Sequence, residues 1–278
     1  MFSTDYIEKF HNTLKEHSSY DLSGYSEKSL MRRLSKIISE QNITKEQLLR
    51  KITESEPYCD SLVQEITVNT TELFRDPQIW QTIKFRILKK LKYKSTINIW
   101  HAGSSTGQEV YSMLILLNEL NLLHKANIYA TDINQKVIDT AISGKYPYRF
   151  NIEYIENFMQ VVQKNPYNFE EFYDTPFSKY FDVDKSTDLI TAKDFIRNRA
   201  IYKQHDLVKP GNVFDIKFDI ILCRNVLIYF RTQLQNQLFN LFAENLVSKG
   251  FLILGAHESI LGKESRHFIK HGHFYIKK

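Results

Sequence analysis

From Thr96 onward the chain alternates short β-rich runs with amphipathic helical stretches, and this alternation restricts the fold more than any other feature. Thr96-Ile97-Asn98-Ile99-Trp100 reads as a strand, Glu109 to Leu120 as a helix, and Asn127-Ile128-Tyr129-Ala130-Thr131 as a second strand ending at Asp132. Asn134 to Ser143 continues as helix and stops at Gly144. Ala200 to Gln204 and Phe218 to Cys223 supply further strands, Thr232 to Val247 is helical and ended by Lys249-Gly250, and Phe251-Leu252-Ile253-Leu254 is a buried strand. Phe268 to Ile276 alternates and turns at Gly272, as a closing antiparallel pair would. Parallel strands need long crossovers, which helices provide, so the pattern implies an α/β fold with a mostly parallel, doubly wound sheet.

The preceding residues show helical periodicity only. Tyr6, Phe10 and Leu14 recur at helical spacing, as do Leu30, Leu34 and Ile37/Ile38. Asp21-Leu22-Ser23-Gly24 marks a turn, Ser26 is a candidate N-cap, and Thr44 with Gln47 three residues on has the form of a capping box. The expected division is a helical N-terminal domain over 1–75, a linker helix over 76–94 and an α/β domain over 95–278. Residues 145–199, with Pro147, Pro166 and Pro176, fit the alternation least. Strand-like stretches around Lys179 to Asp182 and Asp188 to Ala192 place an inserted β-subdomain at about 170–199.

Composition excludes several classes. Hydrophobic residues make up 42% and charged residues 25% of the 278, an ordinary globular balance. No run approaches the roughly 18 apolar residues of a membrane span, and Met1-Phe2-Ser3-Thr4-Asp5 lacks a signal-peptide pattern, so a soluble cytosolic protein is expected. Cys59 and Cys223 stand far apart with no partner at metal spacing, which gives neither a disulfide framework nor a metal site. A net charge of +5 suits either a soluble lysine-rich surface or an acidic partner. Lys28, Arg32 and Lys36 fall at helical spacing with Arg33 beside them, and this stripe reads either as a solvated face or as a docking surface for an acidic helix.

Ligands of open α/β sheets lie beyond the carboxyl ends of the strands. The turn after the first strand, His101-Ala102-Gly103-Ser104-Ser105-Thr106-Gly107-Gln108-Glu109, has glycines that let backbone approach a ligand, but not the spacing of a dinucleotide fingerprint. Glu109 in the first helical turn opposes a phosphate and suits a cationic ligand, so S-adenosylmethionine, a sulfonium and ammonium without phosphate, fits better than NAD or ATP; Glu109 also reads as a helix-dipole residue. Asp132 stands where an acid accepts from both ribose hydroxyls, or caps the next helix. Asp206-Leu207 brackets an adenine or forms a turn. Cys223-Arg224-Asn225-Val226-Leu227-Ile228-Tyr229-Phe230 leaves a core strand on the same edge, with Tyr229 either offering its hydroxyl to the pocket or packing as a core tyrosine. Asn69-Thr70-Thr71-Glu72-Leu73-Phe74-Arg75-Asp76 supplies an amide, hydroxyls and a guanidinium able to close over a ligand.

Four segments in order, Asn69-x-Thr71-x-x-Phe74-Arg75-Asp76-Pro77, Gly103-x-Ser105-Thr106-Gly107-x-Glu109-x-Tyr111-Ser112, Ala130-Thr131-Asp132-Ile133 and Cys223-Arg224-Asn225-Val226-x-Ile228-Tyr229-Phe230, closely resemble the motifs of the CheR chemotaxis protein methyltransferases. Tyr25 to Leu34 is similar to that family's tyrosine and paired-arginine helix. The resemblance implies a class I methyltransferase domain of Rossmann-like topology, with a terminal antiparallel strand, a small all-α N-terminal domain and a small β-subdomain. It implies transfer of a methyl group from S-adenosylmethionine to glutamate side chains of chemoreceptor cytoplasmic helices, with S-adenosylhomocysteine as product and no metal. By position, Asn69, Thr71, Arg75, Glu109, Asp132, Asp206, Leu207, Arg224 and Asn225 match the family's cofactor contacts, and Gly103 and Cys223 within the same motifs go with them. Arg75 and Tyr229 match its catalytic pair, and Lys28, Arg32, Arg33 and Lys36 its receptor-docking helix.

The family pattern is altered at Leu73 for Phe, Gln108 for Glu, Val110 for Pro, Asp206 for Asn, and Arg231 where an acid is frequent. Expected partners are cytoplasmic domains of methyl-accepting receptors or related signalling proteins. A cytoplasmic monomer is expected, recruited to receptor arrays at the inner membrane without inserting into it and without binding nucleic acid. Two other readings stand beside this one. The first is a signalling scaffold that keeps only the cofactor pocket. The second is a nucleic-acid methyltransferase, to whose Asn-Pro-Pro-Tyr loop Asn165-Pro166-Tyr167 has a faint similarity.

Overall fold

The computed structural model describes residues 2–67, 71–149, 151–209 and 213–278. Four helices open the chain: α1 (Thr4–His17), α2 (Glu27–Glu40), α3 (Lys45–Glu54) and α4 (Glu56–Ile66). They bury one apolar stripe each, Ile7, Phe10 and Leu14 in α1 and Leu30, Leu34 and Ile37 in α2. Tyr6, placed in the stripe by spacing, lies at its edge, its hydroxyl donating to the Lys45 carbonyl at 2.9 Å. Thr44 and Gln47 form the capping box of α3 through reciprocal bonds of 3.2 and 2.7 Å. Ser26 holds the N-cap position of α2 without a side-chain cap bond. Next, α5 (Pro77–Thr82), a π-helical turn at Ile83–Ile87 and α6 (Leu88–Leu91) form one unbroken helical stretch.

The remaining chain runs β1 (Ile97–Ala102), α7 (Gln108–Glu119), β2 (Ala126–Asp132), α8 (Gln135–Ser143), β3 (Lys145–Pro147), α9 (Glu153–Phe158), β4 (Phe181–Asp184), β5 (Leu189–Ala192), α10 (Asp194–Arg197), β6 (Ala200–Gln204), β7 (Phe218–Cys223), α11 (Thr232–Asn245), β8 (Leu246–Leu254), β9 (Phe268–His271) and β10 (Phe274–Lys277). Seven strands form one sheet in the order β6-β2-β1-β7-β8-β10-β9. All neighbours from β6 to β8 are parallel, and β10 is antiparallel to both β8 and β9. A three-stranded antiparallel sheet, β3-β5-β4, stands apart, and its first strand comes from Lys145–Pro147, ahead of residue 170.

Strand alternation divides the core between the faces of the large sheet. Ile97 and Ile99, Ile220 and Leu222, and Phe251 and Ile253 pack with α7 on one face. Trp100 and Ala102, Ile221 and Cys223, and Leu252 and Leu254 pack with α11 and the N-terminal helices on the other. This two-sided cover is what buries a parallel sheet. One boundary differs from the sequence expectation: α11 ends at Asn245 and β8 begins at Leu246. Leu246 pairs with Phe218 and the next pair is Phe251 with Ile220, so Val247 to Gly250 bulge out of the ladder. Lys249, at φ 61°, turns the chain there. Lys249-Gly250 therefore bends a strand that has already begun.

Candidate functional site

The chain leaves β1 toward β2 on one side and reaches β7 on the other, so the carboxyl ends of β1 and β7 diverge at the switch point of the sheet. A cleft of about 1060 Å³, solvent mouth included, opens there between the sheet edge and the N-terminal helices. Thr71, Arg75, Gly103, Glu109, Asp132, Asp206, Leu207, Arg224, Asn225 and Tyr229 all line it. Four separate motifs, the first and last about 150 residues apart in sequence, thus meet in one place. Asn69 lies outside the described residues.

Its floor is an ion-paired lattice. Arg224, with a side chain 2% exposed, places Nη1 at 3.2 Å from Glu109 Oε2 and Nη2 at 2.9 Å from Asp76 Oδ2. Nη2 also donates to the Arg75 carbonyl at 2.8 Å, and the guanidinium lies 5.6 Å from the Trp80 ring centre. The other Glu109 oxygen meets His101 Nδ1 at 2.8 Å. Burial pushes the Glu109 carboxyl upward, but His101 and Arg224 outweigh it and hold the group below its ordinary range. Glu109 is therefore an ionised residue already partnered by protein, and more than a helix-dipole acid.

The acids at the strand ends are less satisfied. Asp132 accepts the amide protons of Ser105 at 2.8 Å and Asn134 at 3.0 Å, one on each oxygen. Asp206 accepts from the Val208 amide at 3.0 Å through Oδ1, while its Oδ2 is buried and meets no donor. Burial raises both carboxyls above their ordinary range. Tyr25, reaching in from the helical domain, has its hydroxyl raised by burial and then by the charges of these same two acids.

Backbone strain concentrates around the cleft. Phe74, Asp76, Ser105 and Asn225 have φ of 54°, 57°, 50° and 60°. Such positions cost on the order of 1–3 kcal/mol each and need support from their surroundings. Phe74 is held by its amide donating to Ser112 Oγ at 2.8 Å and by edge-on packing against Trp80 and Phe158. The glycines of this turn also meet neighbouring protein closely. At φ 85° a Cβ on Gly103 would meet Val226 at 2.6 Å, and at φ 90° one on Gly107 would meet Ala141 at 2.6 Å. Both are required by their own conformation and by neighbouring protein.

Three expected residues stand elsewhere. Cys223 is fully buried in the core beneath α11, its thiol pushed well above its usual range by burial, and it does not line the cleft. A strand-end residue points to alternate faces, and this one points inward. Lys28 and Lys36 are exposed outside the cleft, Lys36 at 3.6 Å from Glu40. Arg32, exposed at the rim, and the half-buried Arg33 do line it. The Asn165 side chain bonds Glu171 and the Tyr167 amide, away from the cleft.

Sequence reasoning missed Glu258. This half-buried carboxylate accepts the amides of Gly255, Asn225 and Leu227 at 2.8 Å each and of Ile228 at 3.3 Å. The signal was present: Glu258 follows β8 on the ligand-bearing edge. On its other flank the same loop is tied to the helical domain. Tyr229 accepts from the Ser26 amide, Phe230 bridges Tyr25, and Arg231 bonds the Tyr25 carbonyl at 3.0 Å and Glu27 at 2.8 Å. Arg231, where the family favours an acid, is part of the seam between the two layers.

The model of the family described as "CheR methyltransferase, SAM binding domain" matches residues 69–275. The chain is 34% identical to the protein Cher3 of Pseudomonas putida over 243 residues, covering 87% of this chain and 84% of that one. It is 29% identical over 260 residues to the chemotaxis protein methyltransferase of Listeria monocytogenes, covering 92% and 90%. With chemotaxis protein methyltransferase 1 of Vibrio cholerae it shares 31% over 206 residues, covering 72% and 68%. A switch-point cleft built from all four motifs, and a family match over most of the length, lead to one conclusion: the chain belongs to the CheR family and is an S-adenosylmethionine-dependent methyltransferase.

Proposed function

We propose that this enzyme methylates glutamate side chains of chemoreceptor-like signalling helices, and that the described cleft holds both the cofactor and the incoming carboxylate. The observation that carries this reading is the pair of raised, incompletely satisfied acids, Asp132 and Asp206, at adjacent strand ends. They are acceptors awaiting donors, and the donors that an adenosine offers are its ribose hydroxyls and its amino group. Asp132 takes the ribose, Asp206 Oδ2 the amino group, and Leu207 the apolar face of the base. Thr71, Gly103, Glu109, Arg224 and Asn225 enclose the remainder, with Asn69 joining them by family position. Among the described residues there is no group of His, Cys, Asp and Glu able to hold a metal.

S-adenosylmethionine, when bound, supplies an electrophilic methyl group that passes to a carboxylate oxygen, leaving S-adenosylhomocysteine and a methyl ester. A glutamate with an ordinary pKa near ~4.3 is already ionised at neutral pH, so the protein has no proton to remove. Its contribution is alignment and exclusion of water, which can supply up to roughly 7–11 kcal/mol. Arg75 orients the methionine end or the acceptor carboxylate, and Tyr229 positions the acceptor oxygen. Arg32 at the rim, with Lys28 and Lys36 outside, meets the acidic receptor helix. The receptor's location brings the enzyme to the cytoplasmic side of receptor arrays, where it works as a monomer.

Tritiated methyl transfer to receptor-enriched membranes, released as base-labile methanol, tests the proposal. Cofactor binding without release of methanol would instead mark a signalling scaffold, and label in nucleic acid a different substrate class.

A further inference from the structure

Arg33 is a cation of the cleft that has no ion-pair partner among the described residues. It sits on α2, one position beyond Arg32, and lines the cleft with Tyr25, Ser29 and Leu30 from the helical side. Its Nε is shut off from water and meets no acceptor, and its guanidinium forms no ion pair among the described residues. Glu109 is taken by His101 and Arg224, and Arg231 rather than Arg33 has claimed Glu27. Arginine remains charged at any working pH, so it cannot relieve this by losing a proton. A buried donor left unmade is costly, and a charged one more so. The arrangement therefore stores binding energy for an anion, and a planar fork matches a carboxylate in particular.

We infer that Arg33 is a carboxylate receptor of the cleft, distinct from the outward docking stripe to which its sequence position assigns it. The inference rests on the methyltransferase reading, under which two carboxylates enter the cleft: the α-carboxylate of the cofactor and the side chain of the acceptor glutamate. Arg33 binds one of them through charge-assisted hydrogen bonds, and the helical domain thereby contributes directly to the reaction site.

The test uses the full chain with Arg33→Gln and Arg33→Lys, each first shown to melt cooperatively. Calorimetry measures S-adenosylhomocysteine, which carries the carboxylate, and methylthioadenosine, which lacks it. If Arg33 holds the cofactor, Arg33→Gln weakens S-adenosylhomocysteine tenfold or more, leaves methylthioadenosine within twofold, and Arg33→Lys recovers part of the loss. If it holds the acceptor, both ligands bind as in the wild type while KM for receptor-enriched membranes rises tenfold or more. The inference is overturned if Arg33→Gln leaves both affinities and the KM within twofold of wild type. Failure of wild-type protein to bind S-adenosylhomocysteine would instead count against the functional reading beneath it. Should Arg33→Gln not fold, the Arg33→Lys variant alone decides, since it keeps the charge and loses only the bidentate fork.

Discussion

Glu258 Oε2 accepts the Asn225 amide proton at 2.8 Å, and the same carboxylate gathers three further amides from Gly255, Leu227 and Ile228. One half-buried side chain from beyond β8 thus fixes the loop that carries Asn225 and Tyr229 into the cleft. Asn225 needs such support, because its φ of 60° is one of the strained positions at the site. A carboxylate accepts at all these points at once, whereas an amide presents one oxygen and turns two donors toward donors. Glu258→Gln should leave at least one amide unsatisfied, at about 1–3 kcal/mol. We expect a lower melting temperature and a kcat reduced more than KM is raised, because the loop positions the acceptor rather than gripping it. Unchanged kcat in a folded variant would remove Glu258 from the positioning apparatus.

Arg224 joins the cleft floor to the segment bearing Arg75, through the Arg75 carbonyl, Asp76 and Glu109 together. A lysine retains the charge but cannot span three acceptors from one planar group. Arg224→Lys should loosen residues 71–78, seen as faster amide hydrogen exchange there, and weaken S-adenosylhomocysteine tenfold or more. Truncation to methionine should be worse, since breaking a buried pair costs about 3–5 kcal/mol. Equal exchange in the wild type and the lysine variant would refute the clamp.

Glycine requirements can be separated by a paired substitution. Gly107 and Gly262 share positive φ, 90° and 79°, but a Cβ on Gly107 meets Ala141 at 2.6 Å whereas one on Gly262 meets nothing within 4 Å. Gly262→Ala should therefore cost only the conformational penalty, on the order of 1 kcal/mol. Gly107→Ala adds a clash with Ala141 of α8 and should cost clearly more. Denaturant midpoints at constant slope would show the difference, and equal losses would mean that α8 yields freely.

The sheet was readable because its signals are local. Period-two alternation at Ile97 and Ile99 and the helix stop at Gly144 report on a few residues each, and their boundaries fell within one or two residues of the strands and helices formed. The early start of β8 was not readable, because a bulge is fixed by the partner strand, here Phe218 and Ile220, and not by residues 246–250 themselves. At the site, strand-end positions led to Asp132, Asp206 and Arg224, which the sheet topology brings together. What escaped was orientation. Helical spacing puts Arg32 and Arg33 in a stripe with Lys28 and Lys36, yet which edge of that stripe turns inward depends on how α2 docks through Tyr25, Ser26 and Arg231. Cys223 failed for the same reason, since a motif does not say which of its members faces the core.

Asp206 gives a prediction with a definite sign. Burial raises its carboxyl above the ordinary 3.8, so the folded, ligand-free protein binds this proton more tightly than the unfolded chain does. Stability linked to Asp206 is therefore complete below the unfolded value and is lost as pH rises through the folded one. Once ionised, the group, with Oδ2 lacking a donor among the described residues, works against folding. Asp206→Asn, which also restores the residue common in the family, should raise the melting temperature of the ligand-free protein at pH 8. The advantage over wild type should shrink as pH is lowered toward 4, where the wild-type carboxyl takes up its proton. Differential scanning calorimetry of both proteins across that range, without cofactor, measures the difference directly. A gap that stays constant with pH, or that widens on acidification, would show that burial of the Asp206 carboxyl does not oppose its ionisation.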